Sequence, residues 1–485
     1  MLFNSYAFIF AFLPATFFIY FFLSRRRLVI AVRGFLVFSS LFFYSWWNID
    51  YLPLLLGSML FNYAAGVSLS RAETDRRIPA KTVLTLGVVA NVALLGYFKY
   101  SDFLIENFNG VTGAGIAPLH LALPLAISFF TFQQIAYLVD SYRGETREYD
   151  FLNYALFVSF FPQLIAGPIV HHAQMMPQFA NLRTHVFRYC NIALGLFIFS
   201  MGLFKKVVIA DTFAVWANAG YDAAQALTLV EAWATSLSYT FQLYFDFSGY
   251  TDMAIGAALL FNIRLPINFD SPYKSTSLIE VWERWHITLS QFVNRYIFRN
   301  VLKFFGRYSF VKGLAAVFIS MLVIGLWHGA SWMFVFFGVI HGVGLVLNHI
   351  WKKKIRIAIP RILGWFITFN TINLSMIFFR ATSLEDAGKV LSGMLGVHGV
   401  VQPESFDAAL SWQERIAVAL APVTGDHATL LWLLAGFVLI LGFKNSTTFL
   451  ERFRPGTITA LWGGGMFAFS VLSLDRISEF LYFNF

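Results

Sequence analysis

The residue best suited to take part in a reaction is His328. It lies in the motif Trp327-His328-Gly329, inside the apolar run Ala315 to Ile350. Ionisable side chains at membrane depth are costly, so they usually face a protein interior or a water-filled cavity and carry function. A hydrogen-bonded structural histidine is the alternative interpretation. A neutral imidazole can take the proton of a hydroxyl that attacks a thioester, a general-base step worth about 10² to 10⁴ in rate. His328 is therefore a candidate base for acyl transfer.

A second set of polar residues interrupts an otherwise apolar stretch. Its members are Gln242, Asp246, Ser248 and Asp252. Carboxylates at such depth must be paired or hydrogen-bonded, because otherwise they would be protonated. The basic residues available as partners are Arg264, Lys274 and Arg284. The pattern favours Asp246 and Asp252 as paired framework groups over catalytic carboxylates.

The segment after Ser277 has the sequence of a capped helix. Ser277 followed by Glu280 fits a capping box, and Glu280 with Arg284 forms a favourable i,i+4 pair. A continuous helix would place Trp282 and His286 on one face, with Ser290 one turn further on. The tryptophans and basic ends are typical of an interfacial or re-entrant helix. His286 is then either an auxiliary group near the site or a simple interfacial histidine.

A third histidine and the cysteine content limit the other kinds of site. His341, in Gly338-Val339-Ile340-His341-Gly342, follows His328 by less than one span, and packing is favoured over an orienting role. A zinc site built from His286, His328 and His341 would lack the short helical ligand spacing of such sites, so no metal is expected. The single cysteine, Cys190, excludes an intrachain disulfide and a thiolate cluster.

The composition indicates a membrane protein. Of the 485 residues, 58% are hydrophobic and 13% are charged, whereas soluble domains carry roughly 25% charged residues. We therefore predict an all-α, polytopic membrane protein that forms one membrane-embedded domain, residues 1–485. The net charge of +9 does not imply nucleic acid. The basic residues cluster at the ends of apolar runs, where they set orientation and contact anionic membrane lipid.

Membrane spans follow from the apolar runs, since a span needs about 20 mostly apolar residues. The thirteen candidates are Tyr6–Leu23, Gly34–Trp47, Tyr51–Leu69, Thr82–Phe98, Leu119–Val139, Phe151–Val170, Asn191–Ala210, Ala232–Ile263, Gly313–Trp327, Ser331–Ile350, Ile362–Phe379, Ala428–Phe443 and Ile458–Val471. We expect about 11 to 13 membrane helices, the shorter ones re-entrant or sheltered. The polar intervals Arg71 to Lys81 and Gly396 to His427 are predicted to be loops or short surface helices.

The positions of the basic residues predict a helical hairpin around His328. If Lys312 and Lys352 are both cytoplasmic, the chain between them must enter the membrane and return. The reversal would fall between His328 and Ser331, where Gly329 permits the turn and Ser331 caps the second helix. His328 would then lie deep in the protein at the hairpin apex.

Seven collinear motifs point to one family. They are Phe42-Phe43-Tyr44-Ser45-Trp46-Trp47, Gly96-Tyr97-Phe98-Lys99-Tyr100, Leu123-Pro124-Leu125-Ala126-Ile127-Ser128-Phe129, Phe161-Pro162-Gln163-Leu164-Ile165-Ala166-Gly167-Pro168, the block Gln242–Asp252, Trp282-Glu283-Arg284-Trp285-His286, and Trp327-His328-Gly329-Ala330. In these the chain resembles the membrane-bound O-acyltransferase superfamily, in the branch of the bacterial alginate O-acetyltransferase membrane subunit. The motifs lie between residues 40 and 380; residues 381–485 are expected to be variable C-terminal helices.

The resemblance implies a fold and a site. Membrane helices would ring a central tunnel in a multi-pass protein of the bacterial inner membrane. His328 would be the catalytic histidine at its centre and His286 the second, auxiliary position. The residues expected to line or support the tunnel are Trp327, Gln242, Asp246, Ser248, Asp252, Trp282, Trp285 and His341. Acetyl-CoA would be the donor substrate on the cytoplasmic side, with no bound cofactor. The acetyl group would end on a cell-envelope polysaccharide such as alginate, cellulose or peptidoglycan, often through a periplasmic partner acetyltransferase.

Two departures from the family, in the Arg299–Arg307 stretch and beyond Arg380, and two alternative functions stay open. The alginate branch usually carries a Gly-Gly-Asn-Arg loop after the second histidine, whereas this chain has Arg299 to Arg307 there; this stretch and residues 381–485 would shape acceptor choice. One alternative is a lysophospholipid or protein-hydroxyl acyltransferase that uses longer chains. The other is a transporter of lipid-linked sugars, which the absence of an internal sequence repeat disfavours.

Overall fold

The computed structural model describes residues 1–71, 78–148, 150–165, 167–401, 411–413, 415, 428–474 and 480–481. Every regular element in these ranges is a helix. The all-α prediction is therefore confirmed. Most of the predicted polar intervals Arg71 to Lys81 and Gly396 to His427 lies outside the described residues.

Several helices are long and apolar enough to cross a membrane, which confirms a multi-pass protein. Among the described residues, seven helices meet this criterion by length and composition: Ala7–Arg25, Ile49–Ser70, Ala80–Thr112, Tyr189–Ala223, Phe310–His328, Trp332–Ile355 and Arg361–Arg380. Three shorter apolar helices are Val29–Ser45, Ala428–Gly442 and Thr457–Leu472. The seven long and three shorter apolar helices together are fewer than the number of spans expected from apolar length, which was about 11 to 13.

Two predicted spans differ from the observed helices for local reasons. The predicted span Leu119–Val139 contains helix only from Ile127 onward, after a stretch without regular secondary structure. The predicted span Phe151–Val170 breaks at Phe160, whose backbone leaves the helical region, and a one-turn helix with Pro162 near its start follows. Proline has no N–H and fixes its own φ, so it begins a helix readily and does not continue one. Apolar length alone does not reveal such breaks.

The described residues form two compact units. The first unit comprises residues 1–203, 250–267 and 449–484, and the second comprises mainly 204–249 and 268–448. The single membrane-embedded domain stays a prediction. The helix Leu229–Leu260 contributes its first part to the second unit and its last part to the first.

The first unit contains the N-terminal helices and two near the C-terminus. They are Ala7–Phe12, Leu13–Arg25, Val29–Ser45, Ile49–Tyr51, Leu52–Ser70, Ala80–Leu95, Gly96–Tyr100, Ser101–Thr112, Ile127–Tyr142, Phe151–Ser159, Phe161–Leu164, His172–Ala180, Leu182–His185, Tyr189–Phe204, Thr448–Arg452 and Thr457–Leu472. Stacked aromatic rings fill its core, such as Phe3 against Tyr250 with ring centroids 4.8 Å apart. Its buried polar side chains bond to one another: Asn91 donates to Asn62 at 2.6 Å, and Ser58 donates to Gln134 at 3.1 Å.

The second unit contains all but one of the candidate site residues. Its helices are Lys205–Ala210, Asp211–Asn218, Ala219–Ala223, the first part of Leu229–Leu260, Pro272–Lys274, Leu278–Arg284, Ile287–Val293, Asn294–Phe298, Arg299–Phe304, Phe310–His328, Trp332–Ile350, Trp351–Ile355, Arg361–Arg380, Leu384–Met394 and Ala428–Gly442. A hairpin of Phe310–His328 and Trp332–Ile350 is its central feature, hereafter the histidine hairpin. Three residues separate the two helices, as predicted.

Close packing of glycines holds the histidine hairpin together. A Cβ on Gly325 would lie 2.3 Å from the carbonyl oxygen of Phe334, and one on Gly338 would lie 2.8 Å from that of Met321. Both contacts are with backbone, which cannot rotate away. Small residues at such crossings let two membrane helices approach closely.

The turn of the hairpin lies where it was predicted, but glycine is needed there for a different reason. Gly329 has an extended backbone with φ −167°, so the turn does not need glycine's conformational freedom. A Cβ there would instead lie 2.0 Å from the ring of Phe334, so the glycine makes room for an aromatic side chain. Ser331 does occupy the N-cap position of the second helix, but its side chain makes no capping hydrogen bond. The predicted side-chain cap is wrong.

Candidate active site

His328 is the last residue of the first helix of the hairpin and is 2% exposed. Aromatic rings surround its imidazole: Phe379 lies 4.9 Å away, Trp327 5.1 Å and Phe337 5.7 Å between ring centroids. All three meet it edge to face. The predicted position at the hairpin apex and the predicted burial are both present. The surroundings of the imidazole are therefore apolar and aromatic.

The indole of Trp327 contacts two histidines. Its ring centroid is 5.1 Å from that of His328 and 6.1 Å from that of His286. Two imidazoles that are 42 positions apart in the sequence thus contact one side chain. Both are buried, with His286 at 0% exposure. The structure therefore brings together the two histidines that were predicted to be catalytic.

His286 lies at a break between two short helices and not within one helix. The first helix, Leu278–Arg284, ends before it, and the second, Ile287–Val293, begins after it. His286 itself has φ 43° and ψ 53°, in the left-handed region that residues other than glycine rarely adopt. The predicted shared helical face of Trp282 and His286, with Ser290 one turn on, is therefore wrong. Left-handed backbone at such a residue is often found where structure positions a functional group.

The predicted cap of the first short helix is half right. The backbone N–H of Glu280 donates to the hydroxyl of Ser277 at 3.3 Å. The carboxylate of Glu280 reaches one residue further back than predicted and accepts from the N–H of Thr276 at 2.9 Å. The predicted ion pair of Glu280 with Arg284 is present at 3.0 Å.

Asn268 is a site residue that the sequence analysis missed. Its side-chain oxygen lies 3.1 Å from Nδ1 of His286 and accepts from the hydroxyl of Thr288 at 2.8 Å. Asn268 is fully buried, as is His286. The available signal was an amide in the apolar loop that follows Pro266, 18 residues before the histidine.

His341 is a fully hydrogen-bonded histidine. The indole N–H of Trp282 points at its Nδ1 at 3.3 Å, and its Nε2 lies 2.9 Å from the hydroxyl of Ser375. An indole nitrogen only donates, so Nδ1 accepts and the proton is on Nε2. The Ser375 hydroxyl passes its own hydrogen to the carbonyl of Ile372 at 2.7 Å. Both ring nitrogens are engaged, which suits packing and does not suit a metal ligand.

The polar block of the helix Leu229–Leu260 is buried as predicted, but Asp246 has another partner. The ammonium of Lys206 lies 2.7 Å from Asp246 and 2.8 Å from Asp211. Two of the predicted partners have other contacts: Arg284 pairs with Glu280 and Asp270, and Lys274 donates to the carbonyl of Phe443. Lys206 was missed although a lysine inside the apolar run Asn191–Ala210 was visible.

The remaining predicted residues divide between the units. Gln242 and Ser248 are buried in the second unit, and neither Oε1 of Gln242 nor Oγ of Ser248 has a hydrogen-bond partner among the described residues. Buried polar atoms of this kind are normally satisfied by water or a ligand. Trp285 is buried and stacks on Tyr273 with centroids 5.9 Å apart. Asp252 is also buried and belongs to the first unit.

A metal centre finds no support in the part of the chain that the structure describes. No group of three or more histidine, cysteine, aspartate or glutamate side chains there could hold a metal ion. The predicted zinc alternative required three histidines, and His341 is committed to Trp282 and Ser375. The cluster offers two buried imidazoles that contact one aromatic side chain, and imidazoles are suited to proton transfer.

Comparison with known proteins gives this arrangement a family. The family model described as MBOAT, membrane-bound O-acyltransferase family, matches residues 41–384. The chain is 45% identical to the peptidoglycan O-acetyltransferase of Helicobacter pylori, over 100% of this chain and 98% of that protein. It is 39% identical to the probable alginate O-acetylase AlgI of Pseudomonas aeruginosa, over 81% of this chain and 75% of that protein.

A more distant relative shares about half of the chain. The teichoic acid D-alanyltransferase of Streptococcus thermophilus is 28% identical over 53% of this chain and 68% of that protein. These relatives are named for acyl transfer to polymers of the cell envelope. The resemblance inferred from seven motifs is therefore confirmed, and the transporter alternative is not supported. The chain belongs to the membrane-bound O-acyltransferase family and is an acyltransferase.

Proposed function

We propose that this acyltransferase transfers the acetyl group of cytoplasmic acetyl-CoA toward hydroxyls of an extracytoplasmic cell-envelope polysaccharide, through a periplasmic partner acetyltransferase. It would act in the inner membrane. The names of the relatives support O-acetyl transfer to such polymers. Peptidoglycan is the favoured acceptor, because the relative named for it is 45% identical and aligns along the whole chain, including the region after residue 384 that the family model does not cover.

The proposed chemistry assigns the proton transfer to His328. Its neutral imidazole takes the proton of the acceptor hydroxyl while that oxygen attacks the carbonyl carbon of the thioester. The new ester C–O bond forms, the C–S bond breaks, and the imidazolium returns the proton to the leaving thiolate of CoA. No covalent enzyme intermediate and no cofactor is needed. The observation that carries this proposal is the burial of His328 at the apex of the histidine hairpin, in contact with Trp327.

His286 is proposed as the auxiliary group. It contacts the same indole and has a left-handed backbone. Burial lowers the pKa of His286 to about 3, so this imidazole is neutral throughout the physiological range. A neutral ring both accepts and donates a hydrogen bond, which is what an acceptor hydroxyl or a developing oxyanion requires.

The ion triad of Lys206, Asp211 and Asp246 is proposed as framework and not as catalyst. Two carboxylates share one ammonium at 2.7 and 2.8 Å, and none of the three side chains is more than 8% exposed. Buried ion pairs with several hydrogen bonds fix geometry more than they add stability. In this role the triad anchors the helix that carries Gln242 and Ser248.

The donor class is testable in purified protein reconstituted into liposomes. Release of free CoA is measured with acetyl-CoA and with palmitoyl-CoA, each with and without peptidoglycan fragments or the cognate partner. Acceptor-dependent release from acetyl-CoA that far exceeds release from palmitoyl-CoA is expected. Preference for palmitoyl-CoA would instead identify the long-chain alternative. Release from neither thioester under conditions where the partner is present would overturn the proposed donor.

A further inference from the structure

The loop around Asn268 and the turn around His286 form one hydrogen-bonded unit. The N–H of Ile287 donates to the backbone carbonyl of Asn268 at 3.0 Å, and the N–H of Asp270 donates to the carbonyl of Arg284 at 2.9 Å. These two bonds flank His286 on both sides in the sequence. The backbone bonds therefore hold the two segments side by side, which keeps the Asn268 amide within reach of the imidazole of His286.

The orientation of the Asn268 amide follows from a backbone donor. The N–H of Thr288 points at the Oδ1 of Asn268 at 3.2 Å. A backbone N–H only donates, so the group that faces it must be the carbonyl oxygen and not the NH₂. The hydroxyl of Thr288 adds a second donor to the same oxygen at 2.8 Å. An amide turned the other way would set N–H against N–H.

The same oxygen decides the tautomer of His286. Its distance to Nδ1 is 3.1 Å, within the range of a hydrogen bond. The oxygen cannot donate, so Nδ1 must carry the hydrogen. In a neutral imidazole only one ring nitrogen is protonated, and the other then holds the lone pair.

We infer that Asn268 is a positioning residue, which holds His286 as the Nδ1–H tautomer and so makes Nε2 its basic nitrogen. The catalytic consequence rests on the proposed role of His286. The tautomer itself does not, because it follows from the contacts of Asn268. The chemistry matches the use of a second group to fix a histidine tautomer in other enzymes, except that the orienting group here is uncharged.

An uncharged orienting group has a specific effect. A carboxylate in place of the amide would attract a proton onto the imidazole and favour the imidazolium. The amide fixes the tautomer and leaves the ring neutral, so Nε2 keeps its lone pair. Phe247 closes one side of the ring, edge to face with centroids 4.9 Å apart. The contacts of the imidazole thus include the polar amide of Asn268 and the apolar rings of Phe247 and Trp327.

Asn268 also stabilises the local backbone. Thr288 is the second residue of the helix Ile287–Val293, whose first N–H groups lack intrahelical partners. By accepting from the N–H of Thr288, the amide does the work of a capping side chain, which His286 does not supply. One side chain therefore caps the helix that follows the left-handed turn and orients the imidazole within that turn.

The test reads the tautomer directly. Protein with ¹⁵N-labelled histidine rings is reconstituted into bilayers, and solid-state NMR distinguishes ring nitrogens that carry hydrogen from those that do not. Comparison with His286→Gln identifies the His286 signals among the ten histidines. The expected wild-type result is a protonated Nδ1 and an unprotonated Nε2. A protonated Nε2 in the wild type would overturn the inference without any activity measurement.

Three variants test whether Asn268 sets the tautomer of His286. Asn268→Leu removes the acceptor and should release the ring from the Nδ1–H form, while Asn268→Asp keeps an acceptor and should retain hydrogen on Nδ1. Thr288→Val is the matched control, because it removes one donor to the amide but leaves the amide and its contact with His286 in place. It should keep the wild-type tautomer. An unchanged tautomer in Asn268→Leu would overturn the positioning role.

Activity then tests the dependence on the proposed function. Loss of the group that orients a metal-binding histidine costs about 10- to 100-fold in activity. We expect a loss of the same order for Asn268→Leu and near-wild-type activity for Thr288→Val. If His286→Gln keeps full activity while the wild-type tautomer is as inferred, the proposed role of His286 fails and the role of Asn268 in the tautomer stands. If Asn268→Leu does not fold, the wild-type spectrum still decides.

Discussion

The ammonium of Lys206 lies 2.7 Å from a carboxylate oxygen of Asp246 and 2.8 Å from one of Asp211. One buried cation therefore compensates two buried anions. Replacing Lys206 by Met would leave both carboxylates without their cation, and breaking a buried pair in this way costs about 3 to 5 kcal/mol of unfolding free energy. Asp246→Asn would leave Lys206 and Asp211 as a neutral pair, so it should cost clearly less. Thermal unfolding in detergent, followed by tryptophan fluorescence, compares the two variants; equal losses would show that the triad is not the source of the effect.

The glycine contact within the histidine hairpin gives a steric prediction. Gly325→Ala places a methyl group 2.3 Å from the carbonyl oxygen of Phe334. Over-packing of this kind costs about 1 to 3 kcal/mol, and it should shift the hairpin apex enough to lower activity as well. Gly388→Ala is the matched control, since nothing lies within 4 Å of its added Cβ. A helical glycine in open space is replaced by alanine with a gain of up to about 1 kcal/mol, so the two melting temperatures should move in opposite directions.

The pH dependence of stability should contain a contribution from His286. Burial lowers the pKa of His286 from 6.5 to about 3. Between these two pH values the unfolded chain binds a proton at this position and the folded chain does not, so stability falls as the pH drops through this window. His286→Gln cannot titrate there. The melting temperature of the variant should therefore fall less between pH 7 and pH 5 than that of the wild type, and parallel pH profiles would contradict the assignment.

The two histidines should differ in their effect on acyl transfer. His286→Ala removes an auxiliary contact and should lower the rate of CoA release by about tenfold or more, less than the about 10² to 10⁴ that a general base contributes. The rates are compared in liposomes at saturating acetyl-CoA. Losses of the same size for His286 and His328 would show that the proposed ranking is wrong.

The sequence predicts the helices and the hairpin well because these depend on local pattern and charge. Two apolar runs between Lys312 and Lys352 predict the two helices of the histidine hairpin. Because both lysines are expected on the cytoplasmic side, the chain must turn back between them, and this places His328 at the apex. The helical face shared by Trp282 and His286 could not be predicted correctly, since an i,i+4 spacing is the same whether or not the chain breaks between the two residues. At the break, His286 contacts the buried amide of Asn268, 18 positions earlier in the chain, and residue spacing does not reveal such a contact.

Partners of buried charges were the other feature that sequence could not assign. Arg284, Lys274 and Arg264 were the nearest cations along the chain, but the fold pairs Asp246 with Lys206, 40 positions away. Sequence distance selects candidates, whereas only packing decides which cation becomes buried. A lysine within an apolar run itself indicates that a buried acidic side chain will pair with it.

The central claim, that His328 is the base of acyl transfer, is tested most directly by the rate of acetyl-CoA-dependent acceptor acetylation in His328→Ala. His349→Ala, which changes a histidine at the far end of the same hairpin, is the matched control. Both proteins are compared at equal amounts in liposomes, after tryptophan fluorescence has shown equal thermal stability. We predict that His328→Ala loses at least about 100-fold in rate and that His349→Ala stays near the wild type. Acetylation by His328→Ala at the wild-type rate would contradict the account.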